Sequence, residues 1–234
     1  MTAIELVVFD IAGTIIEDHD EVLSAFQQAL AENGIPVDER ELKEWKGASK
    51  REVIRHFVES RAAKSQADAE RIYIHFRDLL EAGYRGTVCP IAGAQETFAW
   101  LKEHGIRLAT TTGFYRNVRD LIFNQAGWAG TFHADICSDD VSSGRPAPYM
   151  IFRAMYATGV QDVRRVLAVG DTPLDIQSAQ NAGVRSIGVL TGSHGEERLR
   201  REKPDYVVAS VAELPGLIER EFPNRIPSVV NGRN

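Results

Sequence analysis

Short unbroken runs of apolar residues recur along the chain: LVVF (6–9), IRLAT (106–110), VLAV (166–169), SIGVL (186–190) and YVV (206–208). None alternates apolar with polar, so each predicts a strand covered on both faces, as in a parallel sheet packed between helices. The segments QETFAWLKEHG (95–105), RNVRDLIFNQAG (116–127) and PLDIQSAQNAG (173–183) lie between them. Each has helical periodicity and closes at a glycine suited to the residue after a helix end. Strand, helix and glycine in repetition predict a doubly wound, Rossmann-like α/β core with a parallel sheet.

From residue 17 to 88 the rhythm changes. Val22, Leu23, Phe26 and Leu30 fall on one helical face, Val53, Ile54, Phe57 and Val58 on a second, and Ile72, Phe76, Leu79 and Leu80 on a third. With no strand signal there, residues 17–88 are expected to form an α-helical cap domain inserted into a core made of residues 1–16 and 89–234. Hinges are expected near residues 15–17 and 87–90. The stripe Val22, Phe26 and Leu30 would serve either a homodimer contact or packing within the cap. The tail FPNRIPSVVNGRN (222–234) is rich in Pro and Asn and is expected to be loosely ordered.

Composition narrows the function. At 44% hydrophobic and 26% charged, the 234 residues are those of an ordinary globular protein, long enough for a core with a modest second lobe. No apolar stretch approaches the roughly 20 residues of a membrane helix, and Asp10 interrupts the only N-terminal run that resembles a signal segment. A net charge of −6 without a basic block argues against nucleic-acid or anionic-membrane binding. Cys89 and Cys137 form neither a disulfide framework nor a zinc motif. A reducing, cytoplasmic location is expected.

The chemistry lies at the strand ends. In a doubly wound sheet, ligands bind beyond the carboxyl ends of the strands. The first strand ends at Asp10, ATTTG supplies Thr112 and Gly113, VLAVGDT supplies Asp171, and the loop SSGRPAP supplies Arg145. Two aspartates in one crevice repel unless a cation separates them, and hard oxygen ligands suit Mg²⁺. Such a site is fit for phosphoryl transfer, with Asp10 attacking phosphorus and Arg145 and the metal neutralising oxygen charge.

These residues resemble the haloacid dehalogenase superfamily over nearly the whole chain. FDIAGT, TTTG, GRPAP and VGDTPLD are similar to its four motifs, in order, and the inserted helices to its cap. The resemblance implies Asp10 as nucleophile and Mg²⁺ ligand, with the Ala12 carbonyl and Asp171 as further ligands. It implies Thr112 and the Gly113 N–H as holders of the phosphoryl group, Arg145 in place of the usual lysine, and Asp175 at the metal, orienting its water. The string TPLD also reads as a helix start, with Thr172 at N-cap and Asp175 near N3.

Phosphatases of this superfamily carry a second aspartate two residues after the nucleophile, to protonate the leaving group; here Ala12 stands there. Losing a general acid costs on the order of 10²–10⁴ in rate where the leaving group needs a proton. The pattern Asp-x-Ala-Gly-Thr, with arginine in the third motif, resembles the phosphonatases (phosphonoacetaldehyde hydrolases), which make carbon a leaving group through a cap lysine that forms an imine. KGASKREV places Lys50 at that position, and Lys46 and Arg51 are expected to lower its pKa. The chain departs from that pattern at Val53 (histidine in the family), Phe114 (tyrosine), Lys46 (methionine) and Asp20 (cysteine). The expected function is therefore Mg²⁺-dependent cleavage of a small carbonyl phosphonate. The alternatives are a phosphatase on a small phosphate ester with Lys50 as a phosphate clamp and, further off, a non-catalytic sensor of a phosphorylated ligand.

Overall fold

A computed structural model describes residues 3–62, 66–86 and 88–223. The chain runs β1 (Leu6–Phe9), α1 (Glu21–Glu32), α2 (Glu39–Lys43), α3 (Lys50–Ala62), α4 (Gln66–Gly83), α5 (Ala94–Glu103), β2 (Arg107–Thr112), α6 (Arg116–Gln125), β3 (Ala134–Cys137), α7 (Tyr149–Thr158), β4 (Val166–Gly170), α8 (Pro173–Ala182), β5 (Arg185–Val189), α9 (Glu196–Arg200), β6 (Tyr206–Val208) and α10 (Leu214–Glu221). Residues 224–234 of the tail lie outside the described residues.

The six strands form one parallel sheet in the order β3-β2-β1-β4-β5-β6. The strand order reverses beside β1, so the C-terminal ends of β1, β2 and β4 border the crevice where α/β sheets bind ligands. All four residues of β1 are buried. Leu6 and Val8 face a layer containing Met150 and Ile151 of α7, and Val7 and Phe9 face a layer containing Leu101 of α5 and Val118 of α6. Burial on both faces is the reason these strands read as unbroken apolar runs. Strand β3 is absent from the five unbroken apolar runs. It is an edge strand whose Asp135 pairs with Arg119 at 2.8 Å and accepts a hydrogen bond from Thr110 Oγ1 at 3.1 Å, and that polar residue breaks the run.

Four consecutive helices, α1 to α4, separate β1 from α5, and their apolar stripes face each other. Phe26 stacks on Phe76 at 4.4 Å between ring centroids, and Leu30, Val53, Ile54, Phe57 and Ile72 are all fully buried. Phe26 and Leu30 are thus consumed in packing within this lobe. The two chain crossings between lobe and sheet lie side by side: the Glu17 N–H donates to the Cys89 carbonyl at 2.8 Å and the Ile91 N–H to that of Ile15 at 2.9 Å. Among the described residues, no helix is long and apolar enough to cross a membrane.

Candidate active site

Between the lobe and the sheet lies a cavity that gathers the residues singled out in the sequence. Asp10, Ala12, Thr112, Gly113, Arg145 and Asp171 line it from the strand ends, and Lys50 enters from the first turn of α3. Asp175 is not on its wall but stands behind Arg145, on α8.

Asp10 is 7% exposed and held by its backbone N–H to the Val169 carbonyl at 2.8 Å. Burial lifts its pKa to about 6; Arg145 opposes that rise. The Arg145 guanidinium joins two acids, Asp10 at 2.7 Å and Asp175 at 2.6 Å, and donates to the Thr111 carbonyl at 2.5 Å and hydroxyl at 3.1 Å. A planar fork spans two carboxylates in a way a lysine cannot.

Asp171, 1% exposed, is pushed far above the ordinary carboxylate range by burial, and further by Asp10 and Asp175. It receives a 3.3 Å hydrogen bond from Thr14 Oγ1. Oxygens of Asp10, Asp171 and Asp175 all lie within 4.8 Å of one another. Three buried acids around one guanidinium repel one another when ionised, and oxygen donors at this spacing fit a hard divalent cation. Two glycines make the cluster possible: a Cβ on Gly13, whose φ is +80°, would lie 2.6 Å from Asp171, and one on Gly192 would lie 1.8 Å from it. Asp175 has little capacity left. Its Oδ1 faces Arg145, while its Oδ2 accepts from the Thr172 N–H at 3.0 Å and the Thr172 hydroxyl at 2.6 Å, completing the capping box of α8.

Thr112 Oγ1 accepts from the Phe114 N–H at 3.1 Å, which fixes the turn carrying Gly113. A side chain on Gly113 would come within 3.0 Å of Lys50 Nζ and 2.8 Å of the Ala48 carbonyl, so glycine lets the 47–50 segment close onto the turn. Lys50 is 7% exposed, donates to the Ala48 carbonyl at 3.3 Å and sits 5.2 Å from the centroid of the Phe114 ring. Burial lowers its pKa to about 8, Asp10 opposing and Arg145 reinforcing the fall. The expected agents of that shift, Lys46 and Arg51, are instead engaged by other partners. Lys46 is tied to Asp18 at 2.8 Å and Asp20 at 3.0 Å, and Arg51 pairs with Glu70 and stacks over Tyr73.

The haloacid dehalogenase-like hydrolase family matches residues 7–189. The chain belongs to that family. Within it, the phosphonoacetaldehyde hydrolase of Hahella chejuensis is 31% identical, the match covering 92% of this chain and 86% of the relative. That of Latilactobacillus sakei is 30% identical, covering 94% and 97%. Among solved structures, a phosphonoacetaldehyde hydrolase-like protein from Oleispira antarctica aligns with a TM-score of 0.84 at 24% identity, over 94% of this chain and 92% of the other. A β-phosphoglucomutase from Clostridium difficile aligns at 0.83 and 18%, covering 93% and 96%. At those identities the two structures speak for the shared hydrolase-family fold alone.

Val53 is fully buried in the lobe, and His56 is exposed, its ring tilted at 39° against that of Trp45, and is not among the residues lining the cavity. Tyr115 does not replace the hydroxyl absent at Phe114: it donates to the Arg77 carbonyl at 2.9 Å and pairs with Glu81 at 3.0 Å. Sequence reasoning missed Thr14, Thr111, Asp18 and Gly192, which hold Asp171, Arg145 and Lys46 or make room for them. Thr14 and Thr111 each stand within an already recognised motif; Gly192 follows the fifth strand at the height where ligands bind, and that position was its one signal.

Proposed function

We propose that the chain is a Mg²⁺-dependent hydrolase that cleaves the carbon–phosphorus bond of a small carbonyl phosphonate through an aspartyl phosphate on Asp10. One observation carries this reading: a buried lysine amine, its pKa lowered to about 8, shares a cavity with the family's nucleophile position. The names of the two 30–31% identical relatives agree with it.

The Lys50 amine adds to the substrate carbonyl and water leaves, giving an iminium. The Asp10 carboxylate attacks phosphorus, the carbon–phosphorus bond breaks, and its electron pair moves into the iminium to give an enamine. No proton need reach a leaving oxygen, so Ala12 suffices. The enamine takes a proton at carbon, and water releases the carbonyl product from Lys50 and phosphate from Asp10. Thr112 and the Gly113 N–H hold the phosphoryl oxygens, and Arg145, fixed by Asp175 and Thr111, orients Asp10. Asp10, Asp171 and the Ala12 carbonyl would hold Mg²⁺, which when bound neutralises charge on the phosphoryl group and nucleophile. Helices α1–α4 act as a cap, closing about residues 15–17 and 88–90 to bring Lys50 to the carbonyl.

A second reading, a phosphatase in which Lys50 grips a substrate phosphate, is favoured by Phe114 and Val53. The test is phosphate release from phosphonoacetaldehyde with Mg²⁺, beside phosphate monoesters, with Asp10→Asn as the blank and borohydride to trap an iminium. Aldehyde turnover with trapping abolished in Lys50→Ala is expected; Asp10-dependent ester hydrolysis without trapping would overturn the proposal.

A further inference from the structure

The active-site cavity is divided by polarity. Asp10, Arg145 and Asp171 stand on its floor, at the strand ends, while Asp18, Lys46 and Lys50 bring charge from the lobe. The rest of the roof, formed by the lobe, is apolar: Val22, Leu23 and Phe26 of α1, Leu42 of α2 and Trp45 just beyond it; Phe114, in the turn after β2, adds its ring 5.2 Å from Lys50 Nζ. Val22 and Trp45 are only half-buried, so their surfaces remain open to a ligand. The polar groups on this side are already engaged. Asp18 accepts from Lys46 Nζ at 2.8 Å and from the Asp20 N–H at 3.0 Å, and Lys46 is shared between Asp18 and Asp20.

Phosphoryl displacement is in line, so whatever leaves phosphorus departs on the side opposite the Asp10 carboxylate. In this fold that side is the roof. A sugar or a second phosphate would leave its hydroxyls or charge facing Val22, Leu23 and Phe26, with Lys46 already neutralised by two carboxylates; burying polar groups without partners is costly. An alkyl or aryl group meets no such penalty.

We propose that the preferred substrate carries an apolar organic group larger than a two-carbon aldehyde, a medium-chain or aryl-bearing oxoalkylphosphonate, seated against Val22, Leu42 and Trp45. This rests on the proposed function for the carbonyl and the phosphonate, and on the roof for the apolar group. Binding should tighten about fourfold for each methylene that enters the roof.

The test is a binding series independent of turnover. Affinities of methyl- to hexylphosphonate for the Mg²⁺-loaded protein are measured by calorimetry, with phosphonates bearing a terminal hydroxyl or carboxylate as polar counterparts. A fall in Kd of about fourfold per carbon over three or more carbons, absent from the polar counterparts, is expected. Val22→Thr keeps the side-chain shape, adds a hydroxyl and should flatten the series; Trp45→Leu serves as a second variant should the first misfold. A flat series, or preference for the polar analogues, overturns the proposal. Turnover separates it from the reading beneath: alkyl phosphate esters hydrolysed faster with chain length, without phosphonate cleavage, would sink the carbon–phosphorus assignment and leave the apolar roof standing. Phosphonoacetaldehyde cleaved better than every longer homologue would do the reverse.

Discussion

Lys50 offers the most quantitative test. An amine adds to a carbonyl only in its neutral form. With its pKa lowered to about 8 by burial, Lys50 is neutral in about a tenth of molecules at pH 7, against roughly one in 3,000 for an ordinary lysine, a gain of about 300-fold. The assay is reductive alkylation with propanal and cyanoborohydride, followed peptide by peptide from pH 6 to 10. The initial rate at Lys50 should rise about tenfold per pH unit below 8 and level off above it. Nα-acetyllysine, a free lysine side chain carried through the same assay, should still be climbing at pH 10. A Lys50 profile parallel to that of acetyllysine, or an unmodified Lys50, would refute the assignment.

The same shift has a stability cost of determinate sign. Because the folded pKa lies below the unfolded one, the unfolded chain binds more protons between pH 8 and 10.5, so Lys50 makes stability rise with pH across that window. Below pH 8 the penalty is complete, on the order of 3 kcal/mol. Lys50→Met should therefore be more stable than wild type at pH 7 by up to about that amount, the difference fading toward pH 10.5. Urea midpoints at the two pH values decide it, and a variant less stable at pH 7 would contradict the burial argument.

Asp10→Asn should abolish phosphate release yet keep aldehyde trapping at Lys50, with the midpoint moved below 8 because the Asp10 charge holds the Lys50 proton; peptide mass spectrometry reads both. Arg145→Ala leaves Asp10 and Asp175 buried without their cation and should cost about 3–5 kcal/mol in a denaturant titration. Gly192→Ala drives a methyl into Asp171, and a displacement of that size should lower kcat roughly 100-fold, measured by phosphate release at saturating Mg²⁺. Mg²⁺ should raise Tm at neutral pH by relieving the acidic cluster, an effect lost in Asp171→Asn and read in a thermal scan.

The sequence displays what local chemistry dictates. Strands β1 and β4 were legible because two-sided burial demands unbroken apolar runs, and the helix beginning at Pro173 because its capping box is a local hydrogen-bond motif. Strand β3 hides behind Asp135, a residue whose partners Arg119 and Thr110 come from other elements. The site follows the same rule. Asp10, Thr112, Arg145 and Asp171 converge because strand ends converge, which topology guarantees. The surroundings of Lys50 were read from its chain neighbours, and there the inference failed. Lys46 and Arg51 turn to Asp18, Asp20 and Glu70, while the neighbour that reinforces burial, Arg145, arrives from a loop far along the chain. Helical phase tells which way a side chain leaves its helix, not which charge waits to neutralise it.

Ala12 and the low pKa of Lys50 together divide the two chemistries by the sign of one slope. Hydrolysis of an ester needs a proton for the departing oxygen, and with Ala12 in place of an acid the cavity's candidate donor is protonated Lys50, since Lys46 is held between two carboxylates. That activity would fall as pH rises through 8. Carbon–phosphorus cleavage through an iminium needs the opposite form of the same lysine, and where iminium formation limits the rate its activity would rise through 8. Both routes require Asp10, both are damaged by Lys50→Ala, and neither loss alone distinguishes them. The direction of the limb near pH 8, read on the substrate the enzyme prefers and absent from Lys50→Arg, assigns the proton and with it the bond that breaks.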